Sequence, residues 1–293
     1  MYKSLAEAIR DAESRGATLA ATALAAESED TGRPVADIRA ALGRALGVMR
    51  SAVSQGMVGD LYSASGLVGG DAAKLRTGPP GPLAGTPFRD ILARALAVQE
   101  VNAAMGVIVA APTAGGAGVL PAVLTGLAEA RKIPEEKVID ALACAGLIGA
   151  VVAERASLSG AEGGCQAETG SAAAMAAGAA TEMLGGTPSQ CGHAVAMAMQ
   201  GTLGLVCDPL GGLVELPCVF RNATGSAIAL AGIEMALAGI TFAIPVDEVI
   251  DVMGEIGSSM DVRYRETAGG GLAATPTGRR LAKERLYQIK KAT

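Results

Sequence analysis

Cys165, Cys207 and Cys218 stand in segments rich in glycine, proline and acid. These read Ser-Gly-Ala-Glu-Gly-Gly-Cys-Gln-Ala-Glu at 159–168 and Cys-Asp-Pro-Leu-Gly-Gly-Leu-Val-Glu-Leu-Pro-Cys at 207–218. Thiolates carried on turn-forming backbone can converge on one point without distorting a helix or a strand. Iron–sulfur clusters are held by such thiolates, usually four. Three would leave one iron without a protein ligand, and that iron is a Lewis acid able to hold a substrate. Spacing alone fits buried, inert thiols equally well, because free cysteine behaves as a small hydrophobe. The inert reading suits Cys144, inside an apolar helical run, and Cys191, at a helix start. Zinc is disfavoured, since the chain has no closely spaced cysteine pair and its one histidine is His193.

Other segments offer polar groups on glycine-rich backbone. Pro-Thr-Ala-Gly-Gly-Ala-Gly at 112–118 precedes an apolar helical run, as an anion-binding loop would, although a tight turn between packed helices explains it equally well. It is followed by no Lys-Ser/Thr pair and has no dinucleotide-fingerprint context. Residues 63–74 combine hydroxyls, Asp71 and Lys74; that lysine reads as an ion-pairing group rather than a Schiff-base former. Arg265 opens a run with three consecutive glycines at 269–271 and could clamp a carboxylate, with a surface ion pair as the plainer reading. His193 reads as a helix residue rather than a catalytic one.

The elements that must position these groups are helical. Half of the 293 residues are hydrophobic but only 2% are aromatic, so the core is built from Ala, Val, Leu, Ile and Met. Alanine-rich segments favour closely packed helices. Proline with acids in the first turn marks helix starts near Pro34, Pro87, Pro134, Pro188 and Pro245. Ser171 is expected to cap a helix over 172–184, Gly56 to end the one begun at Pro34, and the one begun at Pro245 to reach about Met253. Apolar/polar alternation is absent, and 106–111 is the one β-branched run of note. The sequence thus predicts a mainly α fold, one compact helical domain over 1–293 with functional glycine-rich loops. The polar stretch 76–87 reads as a surface loop within it.

A net charge of −5 without a basic, aromatic-interleaved stripe argues against nucleic acid. Mean hydropathy is +0.38, yet the apolar runs 138–153 and 226–246 contain Asp140 and Glu234, so both read as buried helices rather than membrane spans. Five cysteines are too few for a disulfide scaffold, and the start of the chain reads as an amphipathic helix rather than a signal peptide. A cytoplasmic, reduced protein is expected.

Taken together, these segments resemble the α chain of the iron–sulfur-dependent L-serine dehydratases. The resemblance runs through Ser-Gly-Leu-x-Gly-Gly-Asp-Ala-x-Lys at 65–74, Glu-Val-Asn-Ala-Ala-Met-Gly at 100–106 and Pro-Thr-Ala-Gly at 112–115. It continues through both cysteine segments, Arg221-Asn222-Ala223, and Gly-Leu-Ala-Ala-Thr-Pro-Thr-Gly-Arg at 271–279. It implies a [4Fe–4S] cluster on Cys165, Cys207 and Cys218, with one iron lacking a protein thiolate, and conversion of L-serine to pyruvate and ammonia. It also implies a β-type partner subunit that carries the catalytic base, a histidine. Ser65, Gly66, Asn102, Thr113, Ala114 and Gly115 are the expected substrate contacts. Some single-chain relatives place a cysteine at their extreme C-terminus to reach the fourth iron. Residues 288–293 contain none, so water, another ligand or the partner is expected there. The competing expectations are a related cluster-dependent lyase, such as an L-cysteine desulfidase, and a scaffold subunit that carries a cluster without turnover.

Overall fold

The computed structural model describes residues 2–292, with side chains as far as Leu286; the cysteine-free end at 288–293 lies outside the described side chains. The regular elements among these residues are helical, as expected. They are α1 (Leu5–Ser14), α2 (Leu19–Thr31), α3 (Val35–Gly56), α4 (Asp71–Thr77), α5 (Pro87–Ala103), α6 (Val119–Arg131), α7 (Glu135–Arg155) and α8 (Gly160–Gly163). They continue with α9 (Ser171–Met183), α10 (Pro188–Gln200), α11 (Cys218–Leu237), α12 (Val246–Ser259) and α13 (Pro276–Ala292). Two isolated bridges, Tyr62 with Gly69 and Cys207 with Arg265, are the β-type pairings among the described residues. Residues 106–111 form no strand.

At the centre lies α9, whose sequence Ser-Ala-Ala-Ala-Met-Ala-Ala-Gly-Ala-Ala-Thr-Glu-Met is almost wholly buried. Alanine gives it strong helix propensity and lets α6, α7, α10 and α11 approach closely. Gly178 marks the tightest approach, since a Cβ there would lie 2.5 Å from Ile148 Cδ1 and 2.7 Å from Val195 Cγ2. A smaller apolar cluster joins the end of α3 to α4 and α5. Gly56 sits there as the last helical residue, with Met57 as the C-cap, and a Cβ on it would fall 2.1 Å from the Ala97 carbonyl oxygen, so it serves helix contact rather than acting as a stop.

Proline starts are found where expected, and Thr187 with Gln190 completes a capping box on α10. Several other helix starts are closed by carboxylates from distant elements. Glu182 of α9 accepts from Leu19 N at 2.5 Å and Ala20 N at 2.9 Å on α2. Asp247 of α12 accepts from Leu5 N at 2.8 Å and Ala6 N at 3.1 Å on α1. Glu100 of α5 accepts from Asp71 N at 2.6 Å and Ala72 N at 3.1 Å on α4. Each cap satisfies orphan amides of a first turn and gives a buried acid its partners.

Two helix boundaries differ from expectation. Ser171 is not a cap, because a π-helical segment, Gln166–Gly170, runs straight into α9. The break falls earlier, at Gly164, whose φ of +74° only glycine adopts readily. And α12 continues past Met253 to Ser259. Its Gly254 and Gly257 lie against Ala156 and Gly163, which makes them packing residues rather than stops.

Candidate active site

Three segments deliver the three cysteines. Cys165 opens the π-helical segment, with its Sγ 3.1 Å from Thr169 Oγ1 one turn on. Such a local widening is frequent at functional sites. Cys207 lies in extended backbone, donating its N–H to Tyr264 O and accepting from Glu266 N, both at 2.8 Å. Cys218 is not in a turn but is the first residue of α11, directly after the cis Leu216–Pro217 bond. All three are at most 5% exposed.

The thiols are close enough for a negative charge on Cys165 to raise both Cys207 and Cys218. Burial is the larger cause for all three and pushes Cys218 up to about 12. Opposing it, the Arg221 guanidinium on α11 lowers Cys165 and Cys218. No three His, Cys, Asp or Glu side chains among the described residues surround a single metal ion. A cluster spreads its thiolates over several irons, so wider thiol spacing suits it better than one ion.

Arg221 also organises the backbone here. It donates to Val206 O at 2.8 Å and pairs with Asp208 at 2.7 Å. Asp208 in turn accepts from Leu272 N at 2.6 Å. Gly271, at φ +56°, allows that approach, because a Cβ there would fall 2.1 Å from Asp208 Oδ2.

Asn222, fully buried one turn into α11, locks a second loop onto the cysteines. Its Nδ2 donates to Cys218 O at 2.9 Å and Gly115 O at 2.6 Å, while its Oδ1 accepts from Gly118 N at 2.8 Å. From the other side, Gln99 and Asn102 on α5 donate to Ala114 O at 2.9 and 3.4 Å. The loop at 112–118 is thus held by the carbonyls of Ala114 and Gly115 and by the amide of Gly118. The amides of Thr113, Ala114 and Gly115 meet no acceptor among the described residues.

Glu168 links this loop to the thiols. Its Oε1 accepts from Thr113 Oγ1 at 2.7 Å, and its Oε2 lies 3.8 Å from Cys207 Sγ. A Cβ on Gly115 would sit 2.9 Å from Oε2, and one on Gly160 would sit 2.7 Å away, so both glycines make room for the carboxylate. Burial, more than any neighbour, raises its pKa.

A third loop joins through Glu215, between Cys207 and Cys218, which accepts from Ser63 at 2.7 Å and from Ser65. Gly66 follows at φ +69°, its N–H turned to Ser63 O at 2.9 Å. The structure therefore gathers Ser65, Gly66, Asn102, Thr113, Ala114 and Gly115 around the cysteine segments. Ser65 and Asn102 act there as loop ties.

The remaining candidates lie apart. His193 Nδ1 accepts from Phe242 N at 3.3 Å on the far part of α10. Lys74 is exposed and pairs with Asp71 at 2.9 Å. Cys144 and Cys191 are sealed within α7 and α10. Glu168, Glu215 and Asn222 carry no role in the sequence reading. All three stand inside the quoted motifs, and the signal that could have found them is a polar residue fixed among glycines and cysteines.

The model of the family described as serine dehydratase alpha chain matches residues 14–273. A Bacillus subtilis protein named "Probable L-serine dehydratase, alpha chain" is 48% identical over 288 residues, covering 97% of this chain and 95% of its own length. A Latilactobacillus sakei protein of the same name is 54% identical over 184 residues, covering 63% of this chain and 88% of its own. A Streptomyces coelicolor protein named "L-serine dehydratase" is 43% identical over 263 residues, 87% of this chain but 57% of that longer one. With its cysteine segments and both glycine-rich loops inside the matched region, the chain belongs to the serine dehydratase alpha chain family.

Proposed function

We propose that this chain is the α subunit of a cytoplasmic L-serine dehydratase, which with a β-type partner converts L-serine to pyruvate and ammonia. In this reading Cys165, Cys207 and Cys218 hold a [4Fe–4S] cluster. The observation that carries it is the convergence of three buried thiols from separate segments, with two glycine-rich loops tied to those segments by Asn222 and Glu215. The names of the Bacillus and Latilactobacillus relatives point the same way. The donor set fits the group: three thiols, a guanidinium beside them and glycine-lined space. A cluster bound there supplies a Lewis-acidic iron, suited to a substrate whose hydroxyl must leave.

The chain's own residues do the rest of the binding. The free amides of Thr113, Ala114 and Gly115 form a cradle for the substrate carboxylate, with the loop kept in shape by Asn102 and Asn222. Ser65 and Gly66 add a second loop to the substrate site, with Ser65 positioned by Glu215. The base that takes the α-proton belongs to the partner, because His193 is engaged with Phe242 and lies in another part of the fold. Met105 and Tyr62, 87% and 61% exposed, border these loops in sequence and suit an apolar contact with that partner. The Streptomyces relative, of which this chain covers 57%, carries further sequence in one polypeptide, consistent with a second region being needed.

Pyruvate formation from L-serine, measured anaerobically with and without the partner, tests the reading. Turnover is expected only in the mixture and is expected to survive His193→Ala. Full turnover by the chain alone, lost on His193→Ala, would place the base here instead. A loaded mixture that turns over L-cysteine but not L-serine would replace the substrate.

A further inference from the structure

The buried acids of this molecule are nearly all spoken for. Glu182, Asp247 and Glu100 close helix starts, Asp208 pairs with Arg221, and Glu215 takes two serine hydroxyls. Glu168 is different. One oxygen accepts from Thr113, and the other has only a thiol 3.8 Å away. No Lys, Arg or His pairs with it among the described residues. The second oxygen of Glu100 is also without a partner, but that side chain is 1% exposed and closed to any ligand. Glu168 is only partly buried, and it stands directly against Gly115.

Its position next to Gly115 specifies the ligand. The Thr113–Gly115 amides offer donors for a carboxylate, and Glu168 places at their edge a carboxyl group that no Lys, Arg or His pairs with among the described residues. A ligand carrying a carboxylate alone would use the amides and leave the Glu168 carboxyl group without a partner. A ligand with a carboxylate and a cation on the same carbon satisfies both, because Glu168 stands directly against Gly115, the last of the three amides. An α-amino acid zwitterion has that form. Charge-assisted hydrogen bonds of this type are about twice as strong as neutral ones.

We infer that Glu168 is the substrate-binding residue that receives the α-ammonium group, and that it selects an amino acid over the corresponding hydroxy acid. The inference rests on the proposed dehydratase reading and names the group that recognises the substrate's nitrogen. Thr113 then has two tasks: its hydroxyl orients Glu168 while its amide faces the carboxylate.

The test uses the reconstituted chain with its partner and two unreactive probes, L-alanine and L-lactate, which differ only in ammonium against hydroxyl. Calorimetric affinities are measured for wild type, Glu168→Gln and Glu168→Asp, with iron content and L-serine turnover followed in parallel. In Glu168→Gln the preference for L-alanine over L-lactate is expected to shrink by at least ~20-fold, with iron content unchanged, as loss of one partner of a charge pair predicts. Glu168→Asp, which keeps the charge, should restore part of the preference. An unchanged preference, or equal weakening of both probes, would overturn the inference. So would loss of iron in Glu168→Gln, which would make the residue a support for the metal ligands. Wild type without serine turnover would instead remove the dehydratase reading, while the probe preference would still decide the role of Glu168.

Discussion

Two regions of this molecule contain buried cysteines beside a partly buried glutamate, and they behave differently. In the packed region Cys144 on α7 and Cys191 on α10 lie near Glu182 of α9, close enough for its charge to raise both thiols. In the site Cys165, Cys207 and Cys218 lie near Glu168. Burial is the largest cause of the raised thiol pKa in every case, so burial and acidity do not separate the two groups. The host backbone does. The first group sits within continuous helices, where side chains are fixed at helical spacing and Glu182 spends both oxygens on α2. The second sits at segment ends, where three directions of chain meet and one oxygen of Glu168 has only the Cys207 thiol near it. Chemistry is available where regular structure stops.

The largest break in that comparison comes from removing single thiols. Cys165→Ser, Cys207→Ser and Cys218→Ser should each reduce iron and sulfide to near background after anaerobic reconstitution, while Cys144→Ala and Cys191→Ala should match wild type. Full iron content in any of the first three would remove that residue from the ligand set.

Stability changes should follow different causes in the two regions. Asn222→Ala leaves Gly115 O and Gly118 N beside the site without their partner, a loss on the order of 3 kcal/mol. Gly178→Ala forces a methyl between Ile148 and Val195, costing about 1–3 kcal/mol through overpacking. Urea unfolding of the metal-free chain measures both. Asn222→Ala should also weaken L-alanine binding to the loaded complex, whereas Gly178→Ala should not.

The smallest effect concerns pH. Burial raises the pKa of Glu182 above its ordinary value of 4.5. The folded chain therefore holds this proton more tightly than the unfolded chain. The resulting stability is complete below the unfolded value and is lost as pH rises through the folded one. Glutamine keeps an acceptor oxygen but cannot ionise, so Glu182→Gln should gain stability relative to wild type as pH rises above the ordinary value of 4.5. A gap that narrows with rising pH would contradict the assignment of burial as the dominant cause.

The sequence by itself determined what depends on neighbours within a few residues. Alanine content set the helical class and close packing, proline and acid marked most helix starts, and cysteine among glycine and proline singled out Cys165, Cys207 and Cys218 from Cys144 and Cys191. It also placed Ser65, Thr113 and Gly115 on glycine-rich loops. Tertiary structure alone decided the pairings across long stretches of chain: Asn222 with Gly115 and Gly118, Glu215 with Ser63, and Glu168 with Thr113. It also turned Ser171 from a cap into a helix-interior residue and extended α12 beyond Met253. The reason is range. Propensity and capping act over about one helical turn, whereas a buried polar side chain takes whatever partner the packed helices bring within hydrogen-bond distance. Glu168 and Glu182 are the same residue type, and only the fold gives one a helix to cap and leaves the other facing the thiols.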